Sequence, residues 1–286
     1  MRTTKTVQAG GIRIATEAFG RPGDPAIVLI MGATASMLGW PDGLCAALAG
    51  RGFHVIRFDH RDTGGSTTLP PGAAEYDVED MADDVIAVMG GYRIDAAHLV
   101  GMSLGGFIAQ MLALSHADRV LSLTLIASEP LGWDGDPLPH IAPAFMDHFG
   151  GMDALDWSDA SAVSDFLLGI DRLSAGTGHP FDAEDQRARI ARVLDRTDSI
   201  ASMFNHASRD TRGDWDGAFR RISQPALIIH GSDDRILPPA NGQALAAGIG
   251  GATLDILPGV GHELPARVHG RITGLIAAHV SRANSR

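Results

Sequence analysis

The 286-residue chain has a single cysteine, Cys45. No disulfide can form within it, so the fold must rest on its apolar core, and a reducing compartment is expected. Cys45 sits in the apolar stretch 44–48 and reads as a small core residue rather than a nucleophile. Positive charge is also scarce: 23 Lys and Arg stand against 34 Asp and Glu, a net charge of −11. That balance argues against nucleic acid and against anionic membrane surfaces as partners. No apolar run reaches membrane-spanning length, and the polar segment 1–7 leads into no apolar signal region. A cytoplasmic protein is therefore expected. None of the twelve histidines pairs with another at metal-ligand spacing; His262-Glu263 lacks the second histidine of an H-E-x-x-H site. Neither a metal nor a cofactor is expected. His54 and His98 lie in apolar strand-like runs and His269 and His279 in the last helical stretch, which suits core or scaffold roles.

What is present is ample material for one large domain: 45% hydrophobic residues and a mixed charged surface. Segment 11–17 alternates like a half-exposed strand. Segment 26–31 is a continuous apolar run, as a strand buried on both faces should be, and 54–59 reads as the next strand. Val78, Met81, Val85, Val88 and Met89 recur at helical spacing and Gly90-Gly91 ends the run. Val268, Ile272, Leu275, Ile276 and Val280 form one stripe of a final amphipathic helix. Alternating strands and helices give an α/β fold with a mostly parallel sheet covered by helices on both faces.

The most informative residues are Gly101-Met102-Ser103-Leu104-Gly105, between the apolar run 97–100 and the helical segment 106–113. Strand, sharp turn and helix with serine at the apex make a nucleophile elbow. The glycines leave room where strand and helix approach closely. The alternative, a glycine-rich turn whose serine caps the helix, is decided by the rest of the chain. A serine hydroxyl needs a base, and that base needs an acid to orient it. In sheet-based hydrolases the order is serine, acid, histidine. Here the strand-like run 225–230 leads into Ser232-Asp233-Asp234, and run 252–257 leads into Gly261-His262. Both would reach the sheet edge that carries Ser103. Asp234 is preferred as the acid. Asp233 suits a role in the turn, and Glu129, just after the run 121–126, is a third candidate. Negative charge on an attacked carbonyl oxygen needs backbone N–H donors. Leu104, after the nucleophile, and Ala33, in the loop 31–36, fit that role. An ordinary strand-to-helix loop fits those side chains equally well, because the donors are backbone groups.

Between residues 129 and 219 the rhythm breaks. Prolines 130, 137, 139 and 143 accompany two helix-like patches near 160–168 and 182–196. Trp133, Phe145, Met146, Trp157, Met203 and Phe204 also fall here. This reads as a helical cap over a core formed by 1–128 and 220–286. Its apolar residues either line a pocket or only pack the cap onto the core.

Taken together, these motifs resemble the α/β-hydrolase fold superfamily over nearly the whole chain. Segment 59–66, Asp-His-Arg-Asp-Thr-Gly-Gly-Ser, looks like its D-x-R-G-x-G-x-S loop, with Asp62 where glycine is usual. Segments 29–32, 38–41, 58–64 and 261–265 look more specifically like the aclacinomycin methylesterase-type serine esterases. The likeness is weak in the cap. It implies an eight-stranded sheet, a triad of Ser103, Asp234 and His262, and an oxyanion hole from Ala33 and Leu104. It implies cleavage of a small hydrophobic carboxylic ester, a methyl ester of a bulky acid among the options, through an acyl-enzyme. Haloperoxidase- or perhydrolase-like and lactonase activities use the same triad. A binding protein of this fold with little turnover is the reading from a different class. Dehalogenases and epoxide hydrolases of the fold carry aspartate where Ser103 stands.

Overall fold

A computed structural model describes residues 1–285. Eight strands, β1 (Arg2–Ala9), β2 (Ile12–Phe19), β3 (Ala26–Ile30), β4 (His54–Phe58), β5 (Ala97–Met102), β6 (Val120–Ile126), β7 (Ala226–Gly231) and β8 (Thr253–Leu257), form one sheet. Its order is β1-β2-β4-β3-β5-β6-β7-β8. From β4 to β8 every neighbouring pair is parallel, while β1 and β2 join antiparallel. The expected α/β fold with a mostly parallel sheet is what the chain adopts.

The apolar-rich runs are the inner strands. All residues of β3, β4, β5 and β7 are buried. Side chains alternate between faces along each strand. Val28, Ile30, Ile56, Leu99, Leu125 and Ile228 enter one core, and Ile27, Leu29, Val55, Val100, Ile126 and Ile229 enter the other. Helices α1 (Asp42–Ala49), α2 (Val78–Gly91) and α3 (Leu104–Ser115) follow β3, β4 and β5. Leu44 and Leu48 of α1 pack on the second core, and Val85, Met89, Ile108 and Leu112 of α2 and α3 on the first. Asp77 starts α2 with a reciprocal capping box to Asp80. The polar strand β1 gives no sequence signal, because only Val7 and Ala9 in it are buried. It is drawn into the sheet by a hairpin at Gly10-Gly11, where both φ angles are positive.

Between β6 and β7 the described chain is helical: α4 (Pro143–Phe149), α5 (Ala160–Ser174) and α6 (Ala183–Leu194), followed by a 3-10 segment at Ala201–Ser208. Helix α4, begun by Pro143 at its first turn, has no sequence counterpart above, since it is short and buries only Phe145. Val163, Phe166, Leu167, Leu168, Ile190 and Met203 give this insertion a small core of its own. Helix α7 (Ala240–Gly248) joins β7 to β8, and α8 (His269–Ala283) lays Ile272, Ile276 and Val280 on the second core.

Candidate active site

Parallel strands end on one edge, so the segments after β3, β4, β5, β7 and β8 meet there. Ser103 follows β5, with φ 53 and ψ −122. A non-glycine residue at such angles is held by its surroundings at a cost of about 1–3 kcal/mol. Here Ser103 N–H donates to Ile126 at 2.9 Å, and Ser103 O accepts from Gly106 N at 2.9 Å and Phe107 N at 3.1 Å. The flanking glycines are required. A Cβ on Gly101 would lie 2.2 Å from Gly105 O, and one on Gly105 would lie 2.1 Å from Ile30 O. The half-buried hydroxyl is thus lifted clear of the packing at the head of α3.

Asp234, after β7, and His262, after β8, meet directly: His262 Nδ1 lies 2.8 Å from Asp234 Oδ2. The other carboxylate oxygen accepts the N–H groups of Ile236 and Leu237, both at 2.9 Å. The Asp234 side chain is wholly buried and the His262 ring is 10% exposed. Burial pushes this carboxyl up. The charge of His262 and hydrogen bonds from His230 and His262 outweigh it, and the group is held well below the usual carboxylate range. An ionised Asp234 accepts a proton bond from Nδ1–H, which leaves Nε2 of His262 as the open, basic nitrogen. Ser103 Oγ makes no hydrogen bond to that ring among the described residues.

His230 is a partner that sequence reading missed. It is fully buried in β7, with Nε2 2.7 Å from Leu237 O and 3.5 Å from Asp234 Oδ2. Its only signal is a histidine at a strand end just before the acid-bearing loop. Asp233 faces elsewhere, as its adjacency to Asp234 requires. It accepts the Thr177 N–H at 2.9 Å, together with the hydroxyls of Thr177 and Ser232. Those bonds, the Thr177 hydroxyl first, bring its carboxyl down to about 2. Glu129 pairs with His140 at 3.3 Å.

The Thr177 contact belongs to a strap running from Ser174 to Gly178 along the loop that carries His262. His262 N–H donates to Ser174 O at 2.8 Å, Gly176 N–H to Glu263 Oε1 at 2.7 Å, and Gly178 N–H to Gly259 O at 2.9 Å. The insertion therefore holds the histidine loop through its backbone.

The loop after β3 lies against the elbow: a Cβ on Gly32 would stand 3.1 Å from Ser103 Cβ. The backbone N–H groups of Ala33 and Leu104 have no protein acceptor among the described hydrogen bonds, so both remain open donors. Asp62, the departure from the glycine usual in the resembling loop, keeps the left-handed backbone with φ 66. Its buried carboxylate accepts from Leu69 N at 2.5 Å, Tyr76 Oη at 2.7 Å and Asn205 Nδ2 at 3.0 Å. Aspartate tolerates that backbone, and its side chain ties the insertion to the core.

The remaining singled-out residues are structural. Burial pushes the Cys45 thiol up to about 12, which leaves it inert. His98 sits between Ser122 Oγ at 2.8 Å and Asn284 Oδ1 at 3.0 Å, at the opposite end of the sheet. His269 and His279 face the Leu264 and Pro225 carbonyls.

Residues 25–265 match the model of the alpha/beta hydrolase fold. The chain belongs to that family. This α/β hydrolase is 31% identical to a rhodomycin D methylesterase of Streptomyces peucetius, over 98% of its own length and 99% of the relative's. It is 32% identical to another rhodomycin D methylesterase, from Streptomyces sp. (strain C5), with the same coverage. Among solved structures it is similar to an esterase from Exiguobacterium antarcticum, with a TM-score of 0.76 at 21% identity, over 98% of this chain and 100% of that one. The likeness to methylesterase-type enzymes seen in the loop sequences is borne out. No helix of the α/β hydrolase, among its described residues, is long and apolar enough to cross a membrane.

Proposed function

We propose that this ester hydrolase works through an acyl-enzyme on Ser103, with His262 as general base and Asp234 as the acid that orients it. His262 Nε2 takes the hydroxyl proton as Ser103 Oγ bonds to the ester carbonyl carbon. The carbonyl oxygen becomes an oxyanion between the N–H groups of Ala33 and Leu104. Collapse breaks the bond to the alcohol oxygen, which leaves with the proton from His262. Water, deprotonated by the same nitrogen, then attacks the acyl-serine and releases the acid and the free hydroxyl.

The observation that carries this reading is the 2.8 Å bond between His262 and Asp234 at the sheet edge that also bears the strained Ser103. A carboxylate kept ionised against its burial stabilises the imidazolium that forms at each proton transfer. The open donors at Ala33 and Leu104 supply the complementary charge for the oxygen.

Residues 129–219 act as a cap that selects the substrate. We assign that substrate as a small hydrophobic molecule bearing a carboxylic ester, a methyl ester of a bulky acid. Two features support it: the relatives named as methylesterases, and the ring-rich insertion, where Trp157, Phe166 and Phe204 pack with centroids 5.7–6.3 Å apart. Val193, Ile200 and Met203 of the insertion also face Thr34 and Ser36 across a small cavity beside the oxyanion loop.

The test pairs a fluorophosphonate probe with an ester panel graded by acyl size, including methyl esters of polycyclic acids and lactones. Wild type should label at Ser103 and turn over esters many times, and Ser103→Ala should lose both while staying folded. Sustained turnover by Ser103→Ala would remove the nucleophile assignment. Strict preference for short acyl chains would remove the bulky-acid substrate.

A further inference from the structure

Two buried histidines grip the loop that carries Ala33. His60 Nε2 lies 2.9 Å from Met31 O, and His206 Nδ1 lies 3.1 Å from Thr34 N. A backbone carbonyl only accepts and a backbone N–H only donates, so the partners dictate the tautomers. His60 carries its proton on Nε2. His206 is bare at Nδ1 and carries its proton on Nε2, which donates to Arg61 O at 2.8 Å. His60 is wholly buried and His206 is 4% exposed, and the rings meet edge to face at 5.8 Å.

The two bonds fix alternate peptide planes. His60 holds the plane between residues 31 and 32, and His206 the plane between 33 and 34. The plane between them contains the Ala33 N–H. Thr34 needs the restraint, since it is β-branched and has φ 58. His60 comes from the core. His206 comes from the 3-10 segment 201–208 of the insertion, which Asn205 seats on the core through Asp62 and Gly72 N.

We propose that His206 is a positioning residue that couples the cap to the oxyanion hole: by accepting the Thr34 N–H it sets the direction of the Ala33 donor. This rests on the acyl-enzyme reading above. The donor is then aimed only while segment 201–208 is seated, so a cap displaced at that segment leaves the hole unformed.

The test compares wild type with His206→Phe, His206→Asn and His206→Gln. Readouts are p-nitrophenyl butyrate kinetics, the rate of Ser103 labelling by a fluorophosphonate, and melting temperature. Asn places Oδ1 where Nδ1 of the ring lies and keeps an acceptor for Thr34. Gln reaches instead towards Arg61 O. A misaimed donor should lower kcat and the labelling rate of the Phe variant by about 10- to 100-fold with KM nearly unchanged. Asn should recover most of that loss and Gln should not. A folded Phe variant with wild-type kcat, a change confined to KM, or equal behaviour of Asn and Gln would overturn the proposal. Should Phe fail to fold, the Asn and Gln pair decides, together with nitrogen NMR of the wild-type imidazoles. A proton found on His206 Nδ1 ends it. Wild type that neither labels at Ser103 nor turns over esters brings down the acyl-enzyme reading and this inference together. Normal labelling of wild type and all three variants brings down the inference alone.

Discussion

Arg196, just beyond α6, reaches into the core and pairs with Asp59 at 2.7 Å. Asp59 is wholly buried and also accepts the N–H groups of Met37 at 2.7 Å and Gly65 at 2.9 Å. Burial pushes its carboxyl up, against the pull of Arg196 and the two N–H groups. The insertion is thus latched here as well as at the strap beside His262 and at segment 201–208.

Removing Arg196 strands a buried carboxylate with only backbone partners. Arg196→Ala should cost about 2–4 kcal/mol, towards the lower side of buried-pair losses because the arginine is 28% exposed. Urea melts read it. An unchanged midpoint for Arg196→Ala would show that the pair carries no stability.

Ser103 sits at φ 53, where only glycine is at ease. Ser103→Gly should therefore raise stability by about 1 kcal/mol, the relief of strain less the entropy of glycine, while turnover falls by roughly a million-fold. Thermal melts and ester assays on one preparation test both halves. A lower melting temperature would mean that the elbow is not strained.

The two adjacent aspartates should separate cleanly. Asp234→Asn should lower kcat by about ten-thousand-fold, because an amide stabilises the wrong histidine tautomer and no imidazolium. Asp233→Asn, at a carboxylate that among the described residues hydrogen-bonds Thr177 and Ser232, should leave kcat within a few-fold and raise hydrogen exchange at Thr177. Comparable kcat losses in the two variants would contradict the geometry.

Buried neutral histidines make the fold acid-sensitive. Burial takes His60 down to about 3 and His98 down to about 4, from a usual 6.5. Between the unfolded and folded values the unfolded chain binds more protons, so stability falls as pH drops below about 6.5, by about 1.4 kcal/mol per pH unit for each histidine. The loss ends near pH 4 for His98 and near pH 3 for His60. Denaturant melts should show a deficit of about 2–4 kcal/mol at pH 5 relative to pH 7.5. Equal midpoints at the two pH values would mean that the rings are charged in the fold.

Much of this was legible in the chain itself. Strands β3 to β7 announce themselves because burial on both faces demands apolar-rich runs, unbroken in β3. The elbow is legible because the close approach of α3 to the ends of β5 and β3 admits only glycine at 101 and 105. Asp234 and His262 follow strands whose parallel direction brings their ends to one edge. β1 and α4 were not legible, since each buries too little to leave a period. His206 and His230 were silent for a different reason. A buried histidine is marked by the atoms around it, and those come from residues 34, 61, 234 and 237.

Order and spacing along the polymer thus determined the layered sheet, the sharp turn at residue 103 and the edge at which Ser103, Asp234 and His262 follow their strands, because local packing and chain direction are written in the pattern of residue types. The assembled molecule alone decided which of two neighbouring acids meets the imidazole, how the insertion clasps the loops at 31–34 and 258–263, and which proton each ring keeps. Hydrogen bonds between distant segments depend on ångström-scale placement, which no one-dimensional spacing encodes.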